Sequence, residues 1–198
     1  MTHSTKTPPR ALPPNTFPPE RIDLDGFHLR RYTLGDVESL HGAIKASYAE
    51  IHPWMPWCVE PVKIEEQREF VEGTFPKWMT GEAFNYAIFD SGEGETEQAR
   101  TQIGAISLMD RLGPGGLEIG YWLRTDATGR GVMTRAAGRL TEVGLALPGI
   151  ERIEIHCDEA NARSAAVPRR LGYRLDRIED DVAEAPGETG RGMFWITP

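Results

Sequence analysis

The chain has 198 residues, with 22 Lys and Arg against 30 Asp and Glu and a formal net charge of −8. That length suits one domain that buries a core without staples, and the acid excess argues against a nucleic-acid partner while favouring a cationic one. Two cysteines, Cys58 and Cys157, are too few for a disulfide framework and have no metal-ligand spacing, so no metal is expected and a reducing, cytoplasmic setting is. No apolar run approaches the roughly 20 residues of a membrane span, and the N-terminus lacks the apolar centre of a signal peptide.

In chain order, residues 1–20 carry six prolines and little that could pack. They read as a disordered or polyproline tail that docks weakly if at all, ahead of a single domain over 21–198. A strand is expected near 27–32 and a helix near 36–51, followed by the loop His52-Pro-Trp-Met-Pro-Trp57 and a helix near 64–79. Strands near 84–90 and 101–110 flank the glycine-rich acidic segment 91–100, which reads as a hairpin loop. A helix over about 132–147 places Val132, Ala136, Leu140, Val143 and Leu147 on one stripe and ends at Pro148-Gly149. The strand 150–157 puts Ile153, Ile155 and Cys157 on one face. A capped helix closed by Gly172 follows, and late strands lie near 173–179 and 193–196. About seven strands mixed with helices, without an internal repeat, define an α/β or α+β three-layer domain.

The most informative run is Gly120-Tyr-Trp-Leu-Arg-Thr-Asp-Ala-Thr-Gly-Arg-Gly-Val-Met-Thr134, an apolar strand entering a Gly129-Arg130-Gly131 turn that opens onto a helix. Missing side chains let the backbone approach a ligand, and the first N–H groups of a helix have no intrahelical partner, so they can point at phosphate oxygens. A dinucleotide fingerprint would need a third glycine where Thr134 stands, and the Gly-Lys-Ser/Thr of a P-loop is absent.

The order of strand, Gly-x-Gly turn, long helix, strand, Asn161-Ala-Arg-Ser164 helix and Leu171-Gly-Tyr173 resembles the GNAT superfamily of acyl-coenzyme A N-acyltransferases. Glu118-Ile-Gly-Tyr-Trp-Leu123 and Pro53-Trp-Met-Pro-Trp57 are similar to its RimJ/RimL branch, whose members acetylate protein N-termini and, in relatives, small amines. The resemblance covers roughly residues 22–197. It implies a twisted, mostly antiparallel mixed sheet splayed at the strands carrying Trp122 and Ile155, acetyl-coenzyme A as the cofactor, and direct attack by an amine in a ternary complex. It also implies that the backbone of Trp122, Leu123 and Arg124 pairs with the pantetheine arm. Backbone N–H groups of Gly129, Arg130, Gly131, Val132, Met133 and Thr134 would take the pyrophosphate, and Asn161 would contact the pantetheine.

Two positions depart from the family pattern. Asp126 stands where the signature begins with Gln or Arg, which weakens any side-chain contact from that position but not the backbone cradle. Pro168 stands where many members carry a tyrosine acid, so Ser164 is left as the donor to the leaving thiolate. Inside a helix Pro168 costs ~3 kcal/mol if uncompensated, and a kink is expected there.

Glu118 is the expected general base, directly or through water, with His156 as the other titratable candidate; each could equally be a structural strand residue. An α-amine, with an ordinary pKa near 8, needs less help than a lysine amine near 10.4. Trp54 and Trp57 are the expected walls of the acceptor pocket, or pin their loop to the core. The acceptor is then a peptide N-terminus or a small-molecule amine. An antibiotic or metabolite amine, a longer acyl group, and a non-catalytic acyl-coenzyme A binding module are the alternatives; a homodimer is compatible with the sequence.

Overall fold

A computed structural model describes residues 10–91 and 101–197. The first element is a hairpin, β1 (Arg21–Leu24) and β2 (Phe27–Arg31), closed by an Asp25-Gly26 turn with Leu24 opposite Phe27. Asp-Gly between alternating residues is the chemistry of a two-residue hairpin turn. β1 raises the strand count to eight, one more than the sequence reading.

The helix expected over 36–51 is two helices, α1 (Val37–Ala46) and α2 (Tyr48–Ile51), separated at Ser47. Ser47 is buried, and its hydroxyl accepts a hydrogen bond from the backbone N–H of Thr125, 2.9 Å away. The break is therefore bound to a distant turn. α3 (Ile64–Thr80) starts with Glu66 accepting from the Lys63 N–H at 2.9 Å, and it ends at a left-handed Gly81.

β3 (Ala83–Asp90), β4 (Gln102–Met109) and β5 (Gly116–Leu123) form an antiparallel meander beside the hairpin. α4 (Val132–Leu145) and β6 (Arg152–Asp158) follow. α5 (Ala162–Arg170) precedes the antiparallel pair β7 (Arg174–Asp180) and β8 (Arg191–Ile196). The order across the sheet is β1-β2-β3-β4-β5-β6-β8-β7.

Two apolar layers sandwich this sheet, each formed by the alternate side chains of the strands. On one face Phe84, Tyr86, Ile88, Ile106, Leu117, Ile119, Ile153 and Ile155 pack with Val132, Ala136, Leu140 and Val143 of α4. On the other, Ala87, Phe89 and Ala105 pack with Val37, Leu40 and Ile44 of α1 and Val71 of α3.

Part of the proline-rich segment is not a loose tail. Ala11 and Leu12 are buried in the α4-side layer, the Ala11 N–H donates to both carboxylate oxygens of Asp110 at 3.2 Å, and the Tyr86 hydroxyl donates to the Pro19 carbonyl at 2.7 Å. Proline fixes the chain without ladder hydrogen bonds, so side chains and carbonyls do the anchoring. The expectation for residues 1–9 and for the hairpin loop over 92–100 lies outside the described residues.

Candidate active site

β5 and β6 are parallel and pair only at Gly116, Leu117 and Glu118 with Arg152, Ile153 and Glu154. Beyond Glu118 the strands diverge, each still paired to its outer neighbour, β4 or β8. The result is a V-shaped slot through the sheet whose edges carry unpaired main-chain groups. One edge can be read residue by residue. Arg124 N–H donates to the Ile103 carbonyl at 2.8 Å, and alternation along an antiparallel ladder then commits Trp122 and Gly120 to β4 while turning Ile119, Tyr121 and Leu123 toward the slot. Of the expected pantetheine-pairing residues, Leu123 has the required orientation; the main chains of Trp122 and Arg124 do not. Trp122 contributes its side chain instead, lining a cleft beside Trp57, with ring centroids 6.4 Å apart.

At the open end of the slot, Gly129 and Gly131 have φ of +75° and +71°, and a side chain at either position would be strained. Gly131 is the N-cap of α4, and no side chain caps the helix. The first N–H groups, those of Val132, Met133 and Thr134, thus lack intrahelical acceptors. Arg130 between the glycines pairs with Asp90 at 3.2 Å. Arg124 is held by Asp126, through its Nε at 3.1 Å and by a second contact from its Nη2. The residue that departs from the family signature therefore fixes an arginine next to the cradle. An uncapped helix N-terminus behind two left-handed glycines, continuous with an unpaired strand edge, fits a long ligand with phosphates at one end and amides along its arm.

On the α5 side of the slot, Asn161 is the N-cap of its helix and accepts from the Ser164 N–H at 3.0 Å. Ser164 Oγ donates to the Tyr121 hydroxyl oxygen at 3.2 Å, and the Tyr121 hydroxyl donates to the Ser164 carbonyl at 3.0 Å. That carbonyl is the one left without a helical donor by Pro168. The helix runs through Pro168 to Arg170, and the Ser164 carbonyl takes a replacement hydrogen bond from Tyr121 of β5. Burial pushes the Tyr121 hydroxyl well above its ordinary pKa, against the lowering effect of its hydrogen bond with Ser164. Cys157 is a free thiol raised by burial, while hydrogen bonds with Ser164 and Trp195 act the other way.

On the opposite face of the sheet, Glu118, Glu154 and His156 meet at the vertex. His156 Nε2 lies 2.8 Å from Glu154 Oε2, and Nδ1 lies 3.7 Å from Glu118 Oε2. Arg152 binds Glu154 at 2.7 Å, and Arg111 stands 3.8 Å from Glu118. Burial raises the Glu154 carboxyl, but hydrogen bonds from Arg152 and His156 outweigh it and hold it below the ordinary carboxylate range. The sequence places Glu154 and His156 two apart on one strand face; that Glu118 joins them depends on the β5–β6 register.

These groups open into a cleft of about 1320 Å³ shared by both faces. Its walls include Trp54 and Trp57 with Glu60, Glu66, Glu69 and Glu118. The loop carrying the tryptophans is stapled at Val59, whose carbonyl accepts from the Tyr48 hydroxyl at 2.9 Å and lies 3.0 Å from His52 Nδ1. The β7–β8 loop closes one side. Asp158 collects the N–H groups of Thr189, Gly190 and Arg191, and the Gly187 N–H donates to the Pro53 carbonyl at 2.8 Å. Sequence reasoning did not find Tyr121 or Asp158, because each acts through partners on other elements, nor Glu154, whose partners Arg152 and His156 lie two residues away on its own strand and carry no motif.

The model of the acetyltransferase (GNAT) domain matches residues 27–174, and the chain belongs to that family. Its reaction is acetyl transfer from acetyl-coenzyme A to an amine. A curated relative, "Putative ribosomal N-acetyltransferase YdaF" of Bacillus subtilis, is 26% identical over 140 residues, covering 70% of this chain and 72% of its own. Among solved structures, RimL, a ribosomal L7/L12 alpha-N-protein acetyltransferase in complex with coenzyme A, superposes with a TM-score of 0.77 at 23% identity over 88% of this chain and 94% of its own. The microcin C7 self-immunity acetyltransferase MccE, in complex with acetyl-CoA and AMP, gives 0.77 at 20% over 88% and 93%. The mixed, mostly antiparallel sheet with a central splay is thus the GNAT fold. Among the described residues no helix is long and apolar enough to cross a membrane, and no cluster suits a metal ion.

Proposed function

We propose that this protein acetylates the α-amine of a peptide or protein N-terminus. The carrying observation is the acceptor half of the cleft: a wide, open site that combines carboxylates at Glu60, Glu66, Glu69 and Glu118 with the aromatic walls Trp54, Trp57 and Trp122. Carboxylates favour a cationic amine, and flat apolar walls suit the peptide segment behind it. The ribosomal-protein acetyltransferases among the related proteins support the same acceptor.

In this reading the N–H groups of Gly129 to Thr134 hold the pyrophosphate, with Arg130 and Arg124 as nearby cations. Main-chain groups of Ile119, Tyr121 and Leu123, with Asn161, hold the pantetheine. Acetyl-coenzyme A supplies the activated acyl group and the leaving thiol. Ser164, whose single hydroxyl hydrogen turns from the Tyr121 oxygen to the sulfur, donates to the leaving group, and Glu118 takes the proton of the amine. The acid and base sides stand on opposite faces of the slot, so the reacting carbon would lie between them.

A small-molecule amine is the second reading, favoured by the Trp57–Trp122 pair, which presents two rings to a flat ligand. Coenzyme A release can be followed with serine- and alanine-initiated hexapeptides, an Nα-blocked lysine peptide, spermidine and an aminoglycoside. The α-amine peptides should give the highest kcat/KM. A higher value for spermidine or the aminoglycoside would select the small-molecule reading, and binding of coenzyme A without turnover on any acceptor would reduce the protein to a binding module.

A further inference from the structure

We infer that Glu154 and His156 form a second proton-handling unit in this site. Glu154 positions the His156 ring so that its Nδ1 lone pair and the Glu118 carboxylate together seat and deprotonate the ammonium form of the acceptor. This rests on the amine-acetylation reading above.

The argument is one of donor and acceptor counting. Glu154 is buried, bound by Arg152 and held ionised, so it can only accept; the hydrogen of its 2.8 Å contact belongs to His156 Nε2. In the neutral ring this leaves Nδ1 as a lone pair. Nδ1 and Glu118 Oε2 then face each other at 3.7 Å, two acceptors with no hydrogen between them. The arrangement is favourable when a third group brings two N–H bonds. A primary ammonium about 2.9 Å from each supplies them, and both residues line the cleft that reaches the acceptor walls.

The groups around the ring complete the electrostatics. Glu118 faces it from β5 and has Arg111 on its far side; Glu154 shares its strand and has Arg152. From β8 the Phe194 ring packs at 4.5 Å between centroids, and Arg177 of β7 covers that ring at 3.9 Å. Two carboxylates thus contact the ring nitrogens, whereas the nearest cations are each paired to a carboxylate or separated from the ring by Phe194. When the ammonium yields its proton to Nδ1, one N–H bond breaks and another forms, the amine becomes neutral, and the imidazolium is held at Nε2 by Glu154 and at Nδ1 by Glu118. The amine lone pair attacks the thioester carbonyl carbon and the C–S bond breaks with its electron pair on sulfur; Glu118 takes the proton the attacking nitrogen sheds and Ser164 donates one to the leaving thiolate. When product departs, the ring releases its proton to solvent through the open cleft and the Glu118 proton is lost as Ser164 regains one, so one proton is set free per turnover.

Two measurements test this on the full chain. The first needs no acceptor: long-range proton–nitrogen NMR of the imidazoles at pH 8, with the His156 signal assigned among the five histidines by its loss in H156N. We expect the proton on Nε2 in the wild type and loss of that preference in E154A. A proton on Nδ1 in the wild type, or an unchanged tautomer in E154A, would overturn the positioning role. The second is the pH profile of kcat/KM on the best hexapeptide of the acceptor panel, with coenzyme A affinity and thermal midpoint as controls for folding. H156N should lower kcat/KM about 100-fold at pH 7, in the range of general-base contributions. The deficit should shrink at least threefold by pH 9, where an α-amine with a pKa near 8 is mostly neutral. E154Q, which keeps an acceptor for Nε2, should recover part of what E154A loses. An H156N deficit of equal size across the pH range would mean a purely structural role and defeat the inference. Failure of the wild type on every amine would instead sink the proposed function, and the tautomer result would still decide the positioning half.

Discussion

Tyr121 and Ser164 are joined by two reciprocal hydrogen bonds, hydroxyl to carbonyl at 3.0 Å and hydroxyl to hydroxyl at 3.2 Å, across the slot between β5 and α5. The first supplies the donor that Pro168 removed from its own helix. One tyrosine therefore repairs a proline and orients the serine beside it.

Removing the phenol should expose both functions. Tyr121→Phe orphans a part-buried carbonyl and should cost about 1–3 kcal/mol, read as a lower denaturant midpoint at unchanged slope. Pro168→Ala restores an N–H to the helix, so the double variant should be more stable than Tyr121→Phe alone. Equal stabilities would show that the Tyr121 bond does not replace the missing helical one.

Ser164→Ala should lower kcat by about 10²-fold or more while changing coenzyme A affinity little, because Asn161 still caps the helix through the residue-164 N–H. Single-turnover kinetics and calorimetric binding separate the two quantities. A loss confined to affinity would remove Ser164 from the acid role.

Gly131→Val forces a β-branched residue into a left-handed conformation, costing about 1–2 kcal/mol locally. It should tilt the uncapped N–H groups of α4 away from their target. Coenzyme A affinity should fall at least tenfold by titration calorimetry. Undiminished affinity would mean that the phosphates bind elsewhere.

Asp36 gives the fold an acid limit. Burial pushes its carboxyl up, but the Arg30 ion pair at 2.7 Å and hydrogen bonds from Thr33 outweigh it and hold it below the ordinary value of 3.8. The folded value lies below the unfolded one, so this stabilisation is complete above about pH 4 and is lost as pH falls through the lower, folded value. Asp36→Asn should flatten that part of the acid unfolding curve and lower stability at pH 7 by about 3 kcal/mol, as expected when a buried ion pair loses one partner. An acid limb of the same steepness in the variant would assign it to other carboxylates.

The legible parts of the molecule were those written in local order. The apolar stripe from Val132 to Val143 marks α4, the alternation through Ile153 and Ile155 marks β6, and Gly129 and Gly131 mark the cradle. What escaped the sequence was set by distant partners. Ser47 breaks a helical pattern to meet Thr125, Ala11 is fixed by Asp110, and Glu118 finds His156 only because β5 and β6 separate after one short parallel pairing. β1 escaped for another reason: its four residues are too short a run for periodicity, although Asp25-Gly26 carried the turn signal.

The meeting of Gly187 with Pro53 bears on how acceptor preference can change. A Cβ at Gly187 would lie 2.7 Å from both the Pro53 carbonyl oxygen and its ring, so the β7–β8 loop touches the tryptophan loop backbone to backbone. Two segments that shape one pocket from opposite ends of the chain are in this way mechanically coupled, and substitutions in them will be epistatic. Grafting either loop alone from a relative should disturb its partner; if the cleft they shape holds the acceptor as proposed, exchanging the two as a matched set is the route by which this scaffold can be given a new substrate.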